Sequence, residues 1–207
     1  MSALQKPPTV NDDYRAQDIY RRAAKIIHEK GFDSTSMGDI ADSVDLTKGG
    51  LYYYIKGKRA LLYAIMNFAM DLLEERVVKP ALADPDPESR LSRLVSGHIQ
   101  LMLDEPSAMS ILVHEDEGLD AEHRQKIQAR KQEYPRLFAD SIAEVLEAQG
   151  RDTLDPTIAA YSVLGMIHWI GRWYRPDGRL GEEQIVDQLT RLALHGVLPE
   201  RRRAAHG

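Results

Sequence analysis

From Thr47 to Arg59 the chain reads T-K-G-G-L-Y-Y-Y-I-K-G-K-R, with no acidic residue in between. Lys48, Lys56, Lys58 and Arg59 supply positive charge suited to phosphate oxygens, and the hydroxyls of Tyr52 and Tyr53 can donate hydrogen bonds to them. The adjacent Gly49 and Gly50 are poor choices for helix stability, at about 1 kcal/mol each relative to alanine. Their missing side chains instead let a helix N-terminus bring its backbone against base edges. This is the chemistry of nucleic-acid contact rather than of catalysis. The plainer alternative is a solvated basic loop beside an aromatic core cluster.

Such a helix needs elements to hold it. Ser36 with Asp39 three residues on is close to a capping box, so a short helix is predicted from Ser36. Met37, Ile40, Ala41 and Val44 then share one face, with Ala41 small enough for two helices to cross closely. Val44-Asp45-Leu46 turns the chain, and Asp tolerates the left-handed conformation such a turn requires. Thr47 caps the second helix. Ahead of them a helix over 13–30, capped at Asp12 or Asp13, is predicted to turn Ile19, Ala23, Ile26 and Ile27 inward and to stop at Gly31. Arg21, Arg22 and Lys25 lie on its other side. Residues 1–11 read as a flexible arm.

These residues follow a known pattern. Gly31, Thr35-Ser36, Asp39-Ile40-Ala41, Thr47-Lys48-Gly49, Leu51-Tyr52-Tyr53-Tyr54-Ile55, Lys58 and Leu61 resemble, in type and spacing, the N-terminal helix-turn-helix of the TetR (tetracycline-repressor) family. Asp45, Ile55 and Gly57 depart from it, standing where glycine, phenylalanine and a Ser or Asn cap are usual. The resemblance implies a DNA-binding head, with Thr47, Lys48 and Gly49 nearest the bases and Thr35, Ser36, Tyr52, Tyr53 and Lys58 positioning it on phosphates.

The rest of the chain reads as all helical. A helix from Lys58 to about Val78, ending before Pro80, forms a connecting rod, and Pro85 and Pro87 mark a linker. Helical patterns follow at 88–104, 106–115, 121–149, 155–174 and 181–198, punctuated by Gly118, Gly150 and the turn Pro176-Asp177-Gly178. The expected division is a DNA-binding domain over 1–57 and a ligand-binding and dimerisation domain over 58–207. Net charge is −5 over 207 residues, yet residues 1–60 carry +2 and the remainder −7. An acidic body orients a basic head toward phosphates.

Other chemistry is sparse. His114-Glu115-Asp116-Glu117 with His123 suggests metal ligands, but Gly118 separates the histidines and acidic helix ends are commonly solvated. The sequence contains no cysteine, hence no disulfide or thiolate site, and it lacks the serine-elbow, dinucleotide and P-loop signatures. No cofactor and no catalysis are expected, and the absence of a long apolar run or signal segment gives a cytoplasmic expectation without membrane contact.

The body's large adaptable side chains suit either a core or a mostly apolar ligand cavity: His98, Met102, Met109, Tyr134, Phe138, Tyr161, Met166, His168 and Trp169. Around Trp169 two readings stand open. The aromatics beside Gly165 and Gly171 suit a dimer interface, whereas Arg172 and Arg175 suit a pocket mouth holding an anionic group. The segment Arg172-Trp173-Tyr174-Arg175-Pro176 followed by Gly178 also resembles the C-terminal part of TetR-type regulators responsive to acyl-coenzyme A thioesters. The combined expectation is a homodimeric repressor, joined through its last two long helices, that an amphipathic effector releases from inverted-repeat double-stranded operator DNA. The rival on sequence alone is a helical enzyme or small-molecule carrier whose basic head only supports the fold.

Overall fold

The computed structural model describes residues 10–150 and 154–197, and among these there is no strand. The expected arm lies largely outside the described residues. The helices are α1 (Val10–Lys30), α2 (Met37–Ser43), α3 (Lys48–Tyr54), α4 (Lys58–Leu73), α5 (Lys79–Leu82), α6 (Pro87–Asp104), α7 (Pro106–His114), α8 (Ala121–Ala148), α9 (Pro156–His168), α10 (Ile170–Trp173) and α11 (Glu182–Val197). A π-turn, Glu74–Val78, joins α4 to α5, and a 3₁₀ turn, Asp116–Gly118, follows α7.

Contacts divide the chain into two compact units. The first comprises Met1–Ala69 with Ser107–Ile127, so the segment around α7 belongs with the N-terminal helices. Its core takes Ala23 and Ile27 from α1, Ile40 and Ala41 from α2, and Leu51 and Leu62 from α3 and α4, all 2% exposed or less. Gly118 is part of that packing. A Cβ there would stand 2.7 Å from Leu62 Cδ2 and 2.8 Å from Phe32 Cδ1, far inside ordinary contact. Arg124 secures the same loop, its guanidinium donating to the carbonyls of Asp116, Glu117 and Leu119 at 3.0–3.2 Å.

The second unit comprises Met70–Pro106 with Gln128–Gly207 and is built around α6, which packs against α11, α9, α10, α5 and the π-turn. Asp86 starts α6 by accepting from the Ser89 amide at 2.8 Å, with Pro87 in the first turn where its missing N–H costs nothing. Gly97 lets the π-turn approach, since a Cβ there would meet Val77 Cγ1 at 3.4 Å.

Three helix boundaries differ from expectation. Pro80 does not end the helix before it, because the π-turn intervenes and places Pro80 in the first turn of α5. The wider turn breaks the regular i to i−4 register in which a proline ring would clash. The long helix expected over 155–174 breaks at Trp169, where the Arg172 amide donates to the Trp169 carbonyl at 3.0 Å in a tighter i to i+3 step. Gly165 and Gly171 flank the break and weaken the helix there. At the N-terminus α1 begins at Val10, ahead of the expected caps.

Candidate functional site

The two short helices of the first unit are held by local chemistry. Ser36 Oγ accepts from the Asp39 amide at 3.1 Å while Asp39 accepts from the Ser36 amide at 2.9 Å, completing the capping box. The Ser36 hydroxyl and then the Lys30 ammonium, 2.9 Å away, hold the Asp39 carboxyl well below the usual carboxylate range. Asp45 adopts φ 54°, the left-handed turn expected of it, and the Leu46 amide closes the turn onto the Ala41 carbonyl at 2.9 Å. Arg22 reaches from α1 to Asp45 at 2.7 Å, an anchor that local sequence does not announce.

Thr47 Oγ1 accepts from the Gly50 amide at 3.0 Å and starts α3. Leu51 is fully buried beneath, leaving Thr47, Lys48 and Gly49 exposed at the N-terminal end and Tyr52 and Tyr53 exposed along the outer side. A Cβ at Gly49 would touch nothing within 4 Å, so packing does not require glycine there. Ser36 is also exposed. The arrangement presents cations, hydroxyls and accessible backbone together, which suits a groove lined by phosphates.

Thr35 and Lys58 are placed differently. Thr35 is 1% exposed, and its hydroxyl donates to the Gly31 carbonyl at 2.8 Å. Lys58 Nζ donates to the carbonyls of Phe32, Asp33 and Thr35 at 2.7, 3.2 and 3.0 Å. An ammonium has three protons, and these carbonyls account for all three. Nothing in the spacing signals this clamp, because its partners lie 23 to 26 residues away.

In the second unit His98, Tyr134, Phe138 and His168 come together from α6, α8 and α9. The His98 ring lies edge-on to Tyr134 and His168 at centroid distances of 5.2 and 5.4 Å, and Tyr134 meets Phe138 at 5.3 Å. Burial, and then the neighbouring His168, push His98 down to about 3, so its imidazole is neutral at physiological pH. Burial raises the Tyr134 phenol, which stays protonated. Met102 is buried one turn from His98 on α6, whereas Met109 is buried in the first unit. Tyr161 and Trp169 are 62% exposed, and Arg172 and Arg175 are exposed, with Arg175 donating to its neighbour Tyr174's carbonyl at 2.9 Å.

Tyr134 also lines a cleft of about 400 Å³ walled by Met70, Leu73, Val78, Leu82 and Leu137, with Glu74, Arg130 and Glu133 as its charged members. A second, open groove of about 270 Å³ runs between α9 and α11, lined by Ile158, Ser162, Met166, Leu192 and their neighbours. Exposed Ile158, Tyr161, Trp169, Trp173 and Leu192 make the α9–α11 side strongly apolar.

Comparison with known proteins bears on both units. Residues 19–65 match the family described as bacterial regulatory proteins, tetR family, and residues 84–197 match the tetracyclin repressor-like C-terminal domain. The crystal structure of AibR in complex with isovaleryl coenzyme A and operator DNA is 37% identical, covers 86% of this chain and 97% of its own, and superposes with a TM-score of 0.78. PfmR from Thermus thermophilus, a TetR family transcriptional regulator, is 29% identical over 88% of this chain and 99% of its own, with a TM-score of 0.77. The HTH-type transcriptional repressor KstR2 of Mycolicibacterium smegmatis is 24% identical, covering 88% of this chain and 90% of its own length. An all-helical chain with an N-terminal helix-turn-helix, matched by the family's descriptions over both its head and its body, belongs to the TetR family of bacterial transcriptional regulators.

Proposed function

We propose that this chain is a homodimeric repressor, acting in the cytoplasm, that leaves an inverted-repeat operator when an amphipathic acyl-coenzyme A thioester binds its body. The observation that carries the reading is the exposed N-terminal end of α3, where Thr47, Lys48 and Gly49 stand clear of the fold beside Tyr52 and Tyr53. Thr47, Lys48 and Gly49 face base edges, and Ser36, Tyr52 and Tyr53 meet phosphates. Thr35 and Lys58 act one step back, holding the chain between α1 and α2. The DNA-binding region is residues 1–57, and the remainder serves ligand and partner. With two heads per dimer, half-site centres are expected about 34–36 Å apart or a multiple of that.

For the effector, the AibR complex with isovaleryl coenzyme A and operator DNA supports the thioester class, and the cleft beside Tyr134 offers apolar walls for an acyl group. His98, Met102, Tyr134 and Phe138 are buried in that unit, with half-buried His168 beside them. Arg172 and Arg175 carry, at its surface, the charge that coenzyme A phosphates require. The exposed apolar side of α9 and α11, including Tyr161 and Trp169, serves the second subunit, because so large an apolar surface is favourable only when covered. The chain does no chemistry on its ligand. Effector binding acts by preferring a state whose heads no longer match the operator spacing.

The test is fluorescence anisotropy of the purified protein on the DNA flanking its own gene, with and without isovaleryl and longer acyl-coenzyme A thioesters. Tight, salt-dependent binding lost on adding thioester is the expected result. Binding indifferent to every thioester discards the effector class, and no preference over random DNA discards the repressor.

A further inference from the structure

The buried cluster in the second unit carries more polarity than its packing uses. Neither His98 ring nitrogen, nor the Tyr134 hydroxyl, has a hydrogen-bonding partner among the described residues, although all three atoms are shut off from solvent. His98 is fully buried and Tyr134 is 9% exposed. An unpaired buried donor or acceptor is costly, whereas a hydrocarbon of the same shape is not. Phenylalanine at either position would fill the space and stabilise the unit, as Phe138 does beside them. The polarity therefore points to something besides the fold itself.

Location and charge narrow what that is. Tyr134 forms part of the wall of the 400 Å³ cleft beside apolar Met70, Leu73, Val78, Leu82 and Leu137, with Glu74, Arg130 and Glu133 as its charged members, so the cluster lies directly behind that wall. Tyr134 and His98 are neutral: the phenol is protonated, and the His98 imidazole, uncharged, offers one donor and one acceptor. A carboxylate brought against Tyr134 and His98 would lose its water and find no cation in either, whereas a hydroxyl or a ketone would find donors and acceptors of matching kind. We propose that Tyr134 and His98 form a polar subsite for an uncharged oxygen on the apolar part of the effector, a hydroxyl or a ketone carried along its acyl chain.

The inference rests on the thioester reading above and adds that the favoured thioester is oxygenated beyond its own carbonyl. Calorimetric titration of the full-length protein with octanoyl-coenzyme A, and with octanoyl thioesters bearing a hydroxyl or a ketone at the third carbon or near the chain end, tests it. At least one oxygenated ligand is expected to bind about tenfold tighter than the plain one, the effect of one well-placed hydrogen bond. Tyr134→Phe and His98→Phe should each bring that ratio to within about twofold of one, by weakening the oxygenated ligand more than octanoyl-coenzyme A. Without ligand, Tyr134→Phe should melt no lower than the parent, since the hydroxyl has no partner to lose.

Equal affinity for plain and oxygenated chains overturns the subsite and leaves the thioester reading standing. So does weakening of every thioester alike by Tyr134→Phe, which assigns the hydroxyl to the thioester carbonyl. A ligand-free Tyr134→Phe that melts several degrees lower overturns the subsite too, by giving the hydroxyl a structural role. Failure of all the thioesters to bind overturns the effector reading itself, and the subsite with it.

Discussion

The ammonium of Lys58 lies 2.7 Å from the carbonyl oxygen of Phe32 and 4.4 Å from the centroid of that residue's ring. One side chain thus ties the start of α4 to the turn that follows α1, by hydrogen bond and by cation–π attraction together. Lys58→Met keeps the stem and removes all three donors. It should destabilise the turn by about 2–4 kcal/mol, because three carbonyls lose a charged partner. Faster amide exchange over residues 32–46, with a salt dependence of DNA binding changed by less than one ion, is expected. Unaltered exchange with the slope reduced by about one would return Lys58 to the phosphates.

Gly49 separates fold from function. Since a Cβ there meets no neighbour, Gly49→Ala should leave the protein as stable or add about 1 kcal/mol through helix propensity. DNA affinity should nevertheless fall at least tenfold, because the added methyl occupies the space the base edges need. At Gly50 the same change brings a Cβ within 3.3 Å of Thr47 Oγ1, and the cap suffers as well. Thermal melts beside anisotropy titrations distinguish the two; full DNA affinity in Gly49→Ala would move the contact surface elsewhere.

His98 sets an acid sensitivity. In the unfolded chain a histidine titrates near 6.5, whereas burial holds folded His98 down to about 3. Below pH 6.5 the unfolded state takes up a proton that the folded state refuses, so stability falls as pH falls toward 3. Between pH 7 and 5 this one group should cost about 2 kcal/mol. Urea denaturation at both values should show that loss in the parent, over and above whatever His98→Phe retains. Equal losses in the two proteins would mean that His98 is charged or solvated in the fold.

The α9–α11 side gives a test of assembly. Leu192 is 61% exposed and Ile158 is 64% exposed, so Leu192→Glu or Ile158→Glu disturbs no core. Either should yield a folded, helical monomer by sedimentation velocity, with operator affinity reduced by more than tenfold through the lost second head. A dimer that persists in both variants would place the interface elsewhere.

What the sequence disclosed was the chemistry confined to a few neighbouring residues. The capping box of Ser36 and Asp39 and the Thr47 cap depend on side chains reaching amides three residues away, and the left-handed turn on Asp45 being a residue type that tolerates it, all of which the local sequence reveals directly. The direction of long side chains does not follow from spacing. Lys58 looks like any other cation of its basic stretch until its partners around Phe32 are brought near by folding. Tyr161 and Trp169 read as well for a cavity as for a surface, because helix periodicity gives a face without saying what covers it. The break at Trp169 and the π-turn before Pro80 escaped for another reason: both are changes of hydrogen-bond register inside segments whose residue types favour helix on either side.

The packing around Gly118 has a consequence for recombination among related regulators. Because Phe32 and Leu62 close on that glycine, and Ser107–Ile127 belongs to the same compact unit as the N-terminal helices, the head's foundation is written in two separate stretches of the gene. A hybrid that joins this head to another regulator's body at the proline-rich linker would inherit a foreign loop where Gly118 belongs, and any side chain there would be forced into Leu62. Transplanting the operator specificity of this chain therefore means moving residues 107–127 together with the helix-turn-helix.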